Sequence, residues 1–223
     1  MEIEILFQHD DWLAAIKPEG LNFHSEDGEA GFVVLLEKQL GIKLWPVHRL
    51  DKQTSGILLL AKNKQSCQVL SELFAQRKVE KFYLAVCSAK MKKKQGLIKG
   101  DMTAARRGAY KLQKTQENPA ITQFYSTALK PGWRLCLLKP KTGKTHQLRV
   151  ALKSLSAPIL GDTLYAGEKA DRLYLHSFAI QFEYEDETFT LLSLPKVDDV
   201  FTVSEVLADQ NWLQPWSLNW PKL

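Results

Sequence analysis

His48-Arg49-Leu50-Asp51-Lys52-Gln53-Thr54-Ser55-Gly56-Ile57-Leu58-Leu59-Leu60-Ala61 is the stretch from which the rest of the chain can be read. Its second half is a short, unbroken apolar run, which reads as a buried strand over 57–62. Its first half places a carboxylate beside an arginine, and small hydroxyl residues and a glycine separate the two from the strand. Two readings of Asp51 follow. It is a turn residue before a strand, capped by Thr54 or Ser55, or it is a nucleophile held rigidly by the strand behind it.

Outward from that strand the pattern is dominated by short segments rich in branched and aromatic residues. Ile3, Ile5 and Phe7 alternate with polar residues, and Trp12 to Ile16 follows a His-Asp-Asp turn, giving two strands. Further strands are expected at 79–87, 121–128, 133–139, 173–182 and 188–194. Helices are expected at 31–40 and at 65–76, where Val69, Leu70, Leu73 and Phe74 fall at helical spacing. In 145–155, Leu148, Ala151, Leu152 and Leu155 form an apolar stripe, leaving His146, Arg149 and Lys153 on the opposite face. Strands outnumber helices without regular alternation, so the fold class is α+β with a mixed, largely antiparallel sheet and flanking helices.

The 223 residues, 45% of them hydrophobic, suffice for one large core, and a single domain over 1–223 is expected. No apolar stretch approaches a membrane span, and Met1-Glu2-Ile3-Glu4 lacks a signal-peptide profile. A cytoplasmic protein without membrane contact follows as the expectation. Cys67, Cys87 and Cys136 are odd in number and widely spaced, which suits buried free thiols in a reducing compartment. No zinc-ligand spacing occurs, and no metal is expected. Gly143-Lys144-Thr145 lacks the glycine five residues earlier that a phosphate-binding loop needs, because position 138 is Leu, so no nucleotide cofactor is expected.

The net charge of +5 is unevenly placed. Lys90, Lys92, Lys93, Lys94, Lys99, Arg106, Arg107, Lys111 and Lys114 stand against the lone acid Asp101, a local excess of +8 that leaves −3 for the remainder. Gly96, Gly100, Gly108 and Tyr110 interrupt the run, which reads as a mobile basic hairpin or loop. Such a run is either a solvated face or a grip on phosphates. Beyond Pro195 the chain is acidic at Asp198, Asp199, Glu205 and Asp209. It then carries Trp212, Trp216 and Trp220 among Pro215 and Pro221. The prolines favour a packed extended tail whose tryptophans cover apolar surface.

His48-Arg49-Leu50-Asp51 with Thr54-Ser55-Gly56 resembles the signature of the RluA-type pseudouridine synthases. Four further groups of residues agree in order. Lys17-Pro18-Glu19-Gly20 is similar to the family's opening turn, and Lys81-Phe82-Tyr83-Leu84 to the strand bearing its tyrosine. Leu138-Lys139-Pro140 through Arg149-Val150, with Ala157-Pro158-Ile159-Leu160-Gly161-Asp162 and Tyr165, is similar to its longest block. Leu173-Tyr174-Leu175-His176 is similar to its Leu-His element. The resemblance spans about residues 7–195, leaving an acidic, then tryptophan-rich extension over 196–223. Ala151 and Ser156-Ala157 stand where the family usually carries His and Gly-His.

The resemblance implies isomerisation of uridine to pseudouridine in structured transfer or ribosomal RNA, on a mixed sheet bent into an RNA-binding cleft. It implies Asp51 as nucleophile, Tyr83 in the active site and Arg149 as the cation partner of Asp51. By residue chemistry alone, Tyr83 fits a sheet core equally well, and Arg149 reads rather as a surface helix arginine. RNA or substrate contacts are expected at Arg49, His146 and Leu175, and at Lys92, Lys93, Arg106 and Arg107 of the basic run; Leu175 fits a core leucine as well. The reaction only rearranges its substrate, so no cofactor is expected. An S4-type RNA-binding module is not expected either, and the enzyme is expected to be a monomer. The competing readings are a non-catalytic RNA-binding or RNA-chaperone protein on the same fold, and a glycosidase that would release free uracil.

Overall fold

The computed structural model describes residues 2–26, 28–91, 93–196 and 200–223. In chain order the elements are β1 (Ile5–Gln8), β2 (Trp12–Lys17), α1 (Phe32–Leu40), β3 (Trp45–Pro46), β4 (Ser55–Ala61), α2 (Lys64–Ala75), β5 (Glu80–Ser88) and β6 (Gln95–Gly100). There follow β7 (Met102–Ala104), β8 (Tyr110–Leu112), β9 (Ala120–Lys130), β10 (Trp133–Pro140), α3 (Gln147–Ser154), β11 (Leu175–Tyr184), β12 (Glu187–Leu192) and α4 (Ser204–Asp209). The α+β class with a mostly antiparallel sheet is borne out. The chain packs as two compact units, Met1–Glu80 with His176–Pro195, and Lys81–Leu175 with Lys196–Leu223. None of its helices is long and apolar enough to cross a membrane among the described residues.

In the first unit, β4 is the central strand. Its seven residues are all buried, which is why the sequence shows a continuous apolar run there rather than an alternation. β2 pairs with it antiparallel, from Trp12 opposite Ala61 to Lys17 opposite Gly56. β11 lies parallel to its start, His176 opposite Ser55 and Ser177 opposite Gly56. β1 extends the sheet beyond β2, and β12 extends it beyond β11. One face carries the core of Trp12, Ile57, Leu59, Leu70, Phe182 and Phe189, with the Trp12 ring 5.1 Å from Phe182 and 5.0 Å from Phe189. α2 closes over this core, capped by Asn63, whose side chain accepts from the Ser66 amide at 2.8 Å. The expected stripe is corrected at one position. Val69 stands 41% exposed, and Leu70 is the buried contact, with Cys67, Leu73 and Phe74 half-buried beside it. Cys67 is therefore not the buried thiol expected, whereas Cys87 and Cys136 are.

The second unit holds the antiparallel ladder β5-β10-β9-β6, with β7 and β8 as a separate hairpin. α3 is fixed to β9 through buried Gln147. Its Nε2 donates to the Ile121 carbonyl and Thr122 Oγ1, and its Oε1 accepts from Thr142 Oγ1 and the Lys144 amide. The basic run is more ordered than a loop. β6 is a sheet strand, and β7 and β8 pair Met102 with Leu112 and Ala104 with Tyr110. Asp101, the run's lone acid, ties its base, accepting from the Glu117 and Asn118 amides.

The C-terminal segment corrects the expectation of an extended tail. α4 forms and ends with Asn211 in the left-handed region (φ 56°), while the Trp212 amide reaches back to the Leu207 carbonyl. Pro215 starts a short 3-10 turn, a position where its missing N–H costs nothing. The tryptophans do cover apolar surface. Trp212 is buried, and Trp220 packs 5.0 Å from the Tyr125 ring and 5.9 Å from Phe82. Asp198 and Asp199 lie outside the described residues.

Candidate active site

In the first unit, the Asp51 loop is held on both sides. Leu50 is buried, Asp51 half-buried and Lys52 exposed. The Thr54 amide donates to the Asp51 carbonyl at 3.0 Å, closing a turn over 51–54. The turn expected of Asp51 is present. Ser55 Oγ lies 2.9 Å from Nδ1 of buried His176, whose Nε2 lies 3.0 Å from the Ser193 carbonyl. A carbonyl only accepts, so Nε2 carries the proton and Nδ1 accepts from Ser55. Gly56 is required by close approach. Its φ is 110°, and a Cβ there would lie 2.3 Å from the Ser177 carbonyl oxygen on β11.

The motif's opening residue also has a structural task. His48 Nε2 accepts from the Leu59 amide at 2.9 Å, and its ring stacks on Phe74 at 4.4 Å. Arg49 is exposed, so its guanidinium is open to RNA.

Lys17 was given no role from sequence, yet it is fully buried. Its Nζ donates to the Pro18 carbonyl at 2.8 Å and to the Lys52 carbonyl at 2.9 Å, pinning the residue after Asp51. Burial pulls its pKa down to about 8, against the opposing pull of the Glu19 and Asp51 carboxylates. The unfolded chain holds this proton up to a pH near 10.5. Between about 8 and 10.5 the unfolded state thus binds more protons than the folded one, and stability from this group rises with pH. From pH 7 to 9.5 the native chain should gain about 2 kcal/mol relative to Lys17→Met, read as the difference between their urea-derived stabilities. A constant difference across that range would contradict the assignment.

In the second unit, Tyr83 sits on β5 opposite Leu138 of β10 and is buried, with 9% of the residue accessible. Leu175 is buried. Arg149 is not a surface arginine. It is 7% exposed, and its Nε and Nη2 each donate at 2.8 Å to the two carboxylate oxygens of buried Asp162. This planar, bidentate fork fixes the guanidinium in position and rotation. Tyr165 lies against its face, with ring centroid 5.0 Å from Cζ. Asp162 is itself fixed by the tight loop over 161–167. Gly161 has φ 82°, and a Cβ there would meet the Arg172 carbonyl at 1.7 Å. The Asp162 carbonyl takes the Gly167 amide at 2.8 Å.

His146 precedes α3 with φ 57° rather than lying within it, and its Nδ1 is 3.0 Å from Tyr165 Oη. Lys93, Arg106 and Arg107 are exposed, and Lys92 lies outside the described residues. The unit thus gathers His146 and Arg149 around Tyr165. Asp162 and Tyr165 were missed as site residues although both stand in the quoted Gly161-Asp162 block. A Gly-Asp pair shortly after an amphipathic helix bearing an arginine was the available signal. Ala151 and Ala157, the two small departures from the family pattern, are buried in this unit's core.

Residues 11–154 match the family described as RNA pseudouridylate synthase, and the chain belongs to that family, in its RluA-type branch. Its activity is the isomerisation of uridine to pseudouridine in RNA. An "Uncharacterized RNA pseudouridine synthase" of Haemophilus influenzae is 52% identical over 198 residues, covering 87% of this chain and 88% of the relative. The tRNA pseudouridine synthase C of Haemophilus ducreyi is 32% identical over 238 residues, covering 95% and 93%. Among solved structures, Human RNA Pseudouridylate Synthase Domain Containing 4 aligns with a TM-score of 0.71 at 26% identity, over 89% of this chain and 90% of that one. Human RNA Pseudouridylate Synthase Domain Containing 1 shares the fold, with a TM-score of 0.78 at 24% identity, over 99% and 97%.

Proposed function

We propose that this chain isomerises particular uridines in structured transfer or ribosomal RNA, with Asp51 as nucleophile and without a cofactor. The observation that carries this reading is the Asp51 loop itself. Buried Leu50, the 51–54 turn and the Lys17 ammonium on the Lys52 carbonyl fix the backbone on both sides of a half-exposed carboxylate. Relatives named tRNA pseudouridine synthase C and Ribosomal large subunit pseudouridine synthase D support the two RNA classes.

In this mechanism a carboxylate oxygen of Asp51 bonds to C1′ of the ribose as the C1′–N1 bond breaks, and the electron pair stays on uracil N1. The bound base turns, and C5 attacks C1′ and displaces the carboxylate. The C5 proton then leaves and N1 gains one, so nothing is oxidised or consumed. Tyr83 supplies the aromatic surface for the detached base, and Leu175 a further apolar contact. Arg149, held by Asp162, acts as the catalytic cation. The target uridine reacts only when out of its stack; Arg49 fills the vacated space or binds phosphate. Lys92, Lys93, Arg106 and Arg107 supply sequence-independent phosphate contacts, and His146 a polar contact to the RNA. The enzyme works as a cytoplasmic monomer.

The test is purified protein with transfer and ribosomal RNA transcripts in buffer containing a chelator. The reading expects pseudouridine at one or a few positions and no free uracil. Free uracil in stoichiometric amounts would establish a glycosidase instead.

A further inference from the structure

Tyr165 joins three things that the reaction would otherwise leave separate. Its ring supports the face of the Arg149 guanidinium at 5.0 Å. Its hydroxyl accepts from the backbone amide of Tyr110 at 3.0 Å, and lies 3.0 Å from His146 Nδ1. Once the hydroxyl has accepted from the amide, its one proton is available to that nitrogen. Tyr110 opens β8, and the turn it follows carries Arg106 and Arg107, both exposed. The backbone amide of Tyr165 meanwhile donates to the carbonyl of Asp162 at 3.1 Å, the residue whose carboxylate forks Arg149. Tyr165 is 5% exposed, and its hydroxyl contacts to Tyr110 and His146 are partly buried.

The arrangement is specific in a way packing alone does not require. The Asp162 fork sets the guanidinium within its own plane, and a ring against its face sets the tilt of that plane. The same ring's hydroxyl holds the Tyr110 amide of the hairpin. A phenylalanine would fill the volume and support the guanidinium, but would hold neither the hairpin amide nor His146.

We propose that Tyr165 is a positioning residue that couples the basic hairpin to Arg149, so that RNA engaged by Arg106 and Arg107 bears on the orientation of the guanidinium. This rests on the reading of Arg149 as part of the reacting site. The hairpin is the input and the tilt of Arg149 the output, with the Tyr165 hydroxyl and ring as the two halves of the connection.

Two substitutions separate those halves, and two readouts separate the coupling from simple packing. Tyr165→Phe removes the hydroxyl and keeps the ring; Tyr165→Leu removes both. In the absence of RNA, trypsin should cut at Arg106 and Arg107 about five to ten times faster in Tyr165→Phe than in the native protein, since a partly buried hydrogen bond helps to hold the hairpin. With RNA, Tyr165→Phe should raise KM by about tenfold, with the smaller part of its loss in kcat. Tyr165→Leu should lower kcat by at least a further factor of about ten. Native rates of hairpin cleavage and a native KM in Tyr165→Phe would overturn the tether. Equal kcat values in the Phe and Leu variants would overturn the support of Arg149. Arg149→Ala measured alongside distinguishes the underlying reading: a native kcat there would remove Arg149 from the site and the coupling with it, whatever the hairpin cleavage shows.

Discussion

Asp51→Asn should lower pseudouridine formation by about four orders of magnitude or more while leaving the fold in place. The substitution changes one oxygen to an amide nitrogen and removes the charge and nucleophilicity together. Loss of a covalent nucleophile in other enzymes carries a penalty of this size. The turn over 51–54 is made by the backbone, from the Thr54 amide to the Asp51 carbonyl, and Lys17 holds the Lys52 carbonyl. None of these contacts uses the Asp51 side chain. RNA affinity should therefore stay within about twofold, and the urea midpoint should move little. Release of tritium from RNA labelled at uridine C5 measures turnover, and filter binding measures affinity. Turnover within tenfold of the native rate would remove Asp51 as nucleophile.

The second large effect falls on Asp162, which no local pattern singles out. Asp162→Ala leaves the buried Arg149 guanidinium without its fork, and breaking a buried ion pair from one side costs about 3–5 kcal/mol. Activity should fall with it, by roughly two to three orders of magnitude, because the guanidinium loses the bidentate fork that fixes its orientation. Replacing both partners, as in Arg149→Met with Asp162→Leu, removes the buried charge together with its fork and should return most of the lost stability. It should return none of the activity. Chemical denaturation and single-turnover rates on the three variants check this. Recovery of activity together with stability in the double variant would show that the pair serves only the fold.

Much of this was legible in the sequence, for identifiable reasons. The buried run of β4, the strands β1 and β2 and the helices α2 and α3 rest on local patterns, and the structure places these elements within a few residues of where the patterns do. The turn at Asp51 was legible because the motif around it is local too. His48 stacking on Phe74, Lys17 on the Lys52 carbonyl and Ser55 on His176 join residues 26, 35 and 121 positions apart. Their side chains were visible, but the pairings depend on strand register. Arg149 illustrates the limit best. Helical periodicity placed it opposite the apolar stripe, which is where its Cβ points, yet the loop over 161–167 folds over that face and buries it. The tryptophans at the C-terminus were read correctly as cover, while α4 was missed because six residues carry too little periodicity to count.

The most direct test of the central claim is a pseudouridine map of total transfer and ribosomal RNA from cells lacking the gene, complemented with the native chain or with Asp51→Ala. The account predicts that one or a few sites disappear in the deletion, return with the native chain and stay absent with Asp51→Ala. Restoration of those sites by Asp51→Ala would contradict it.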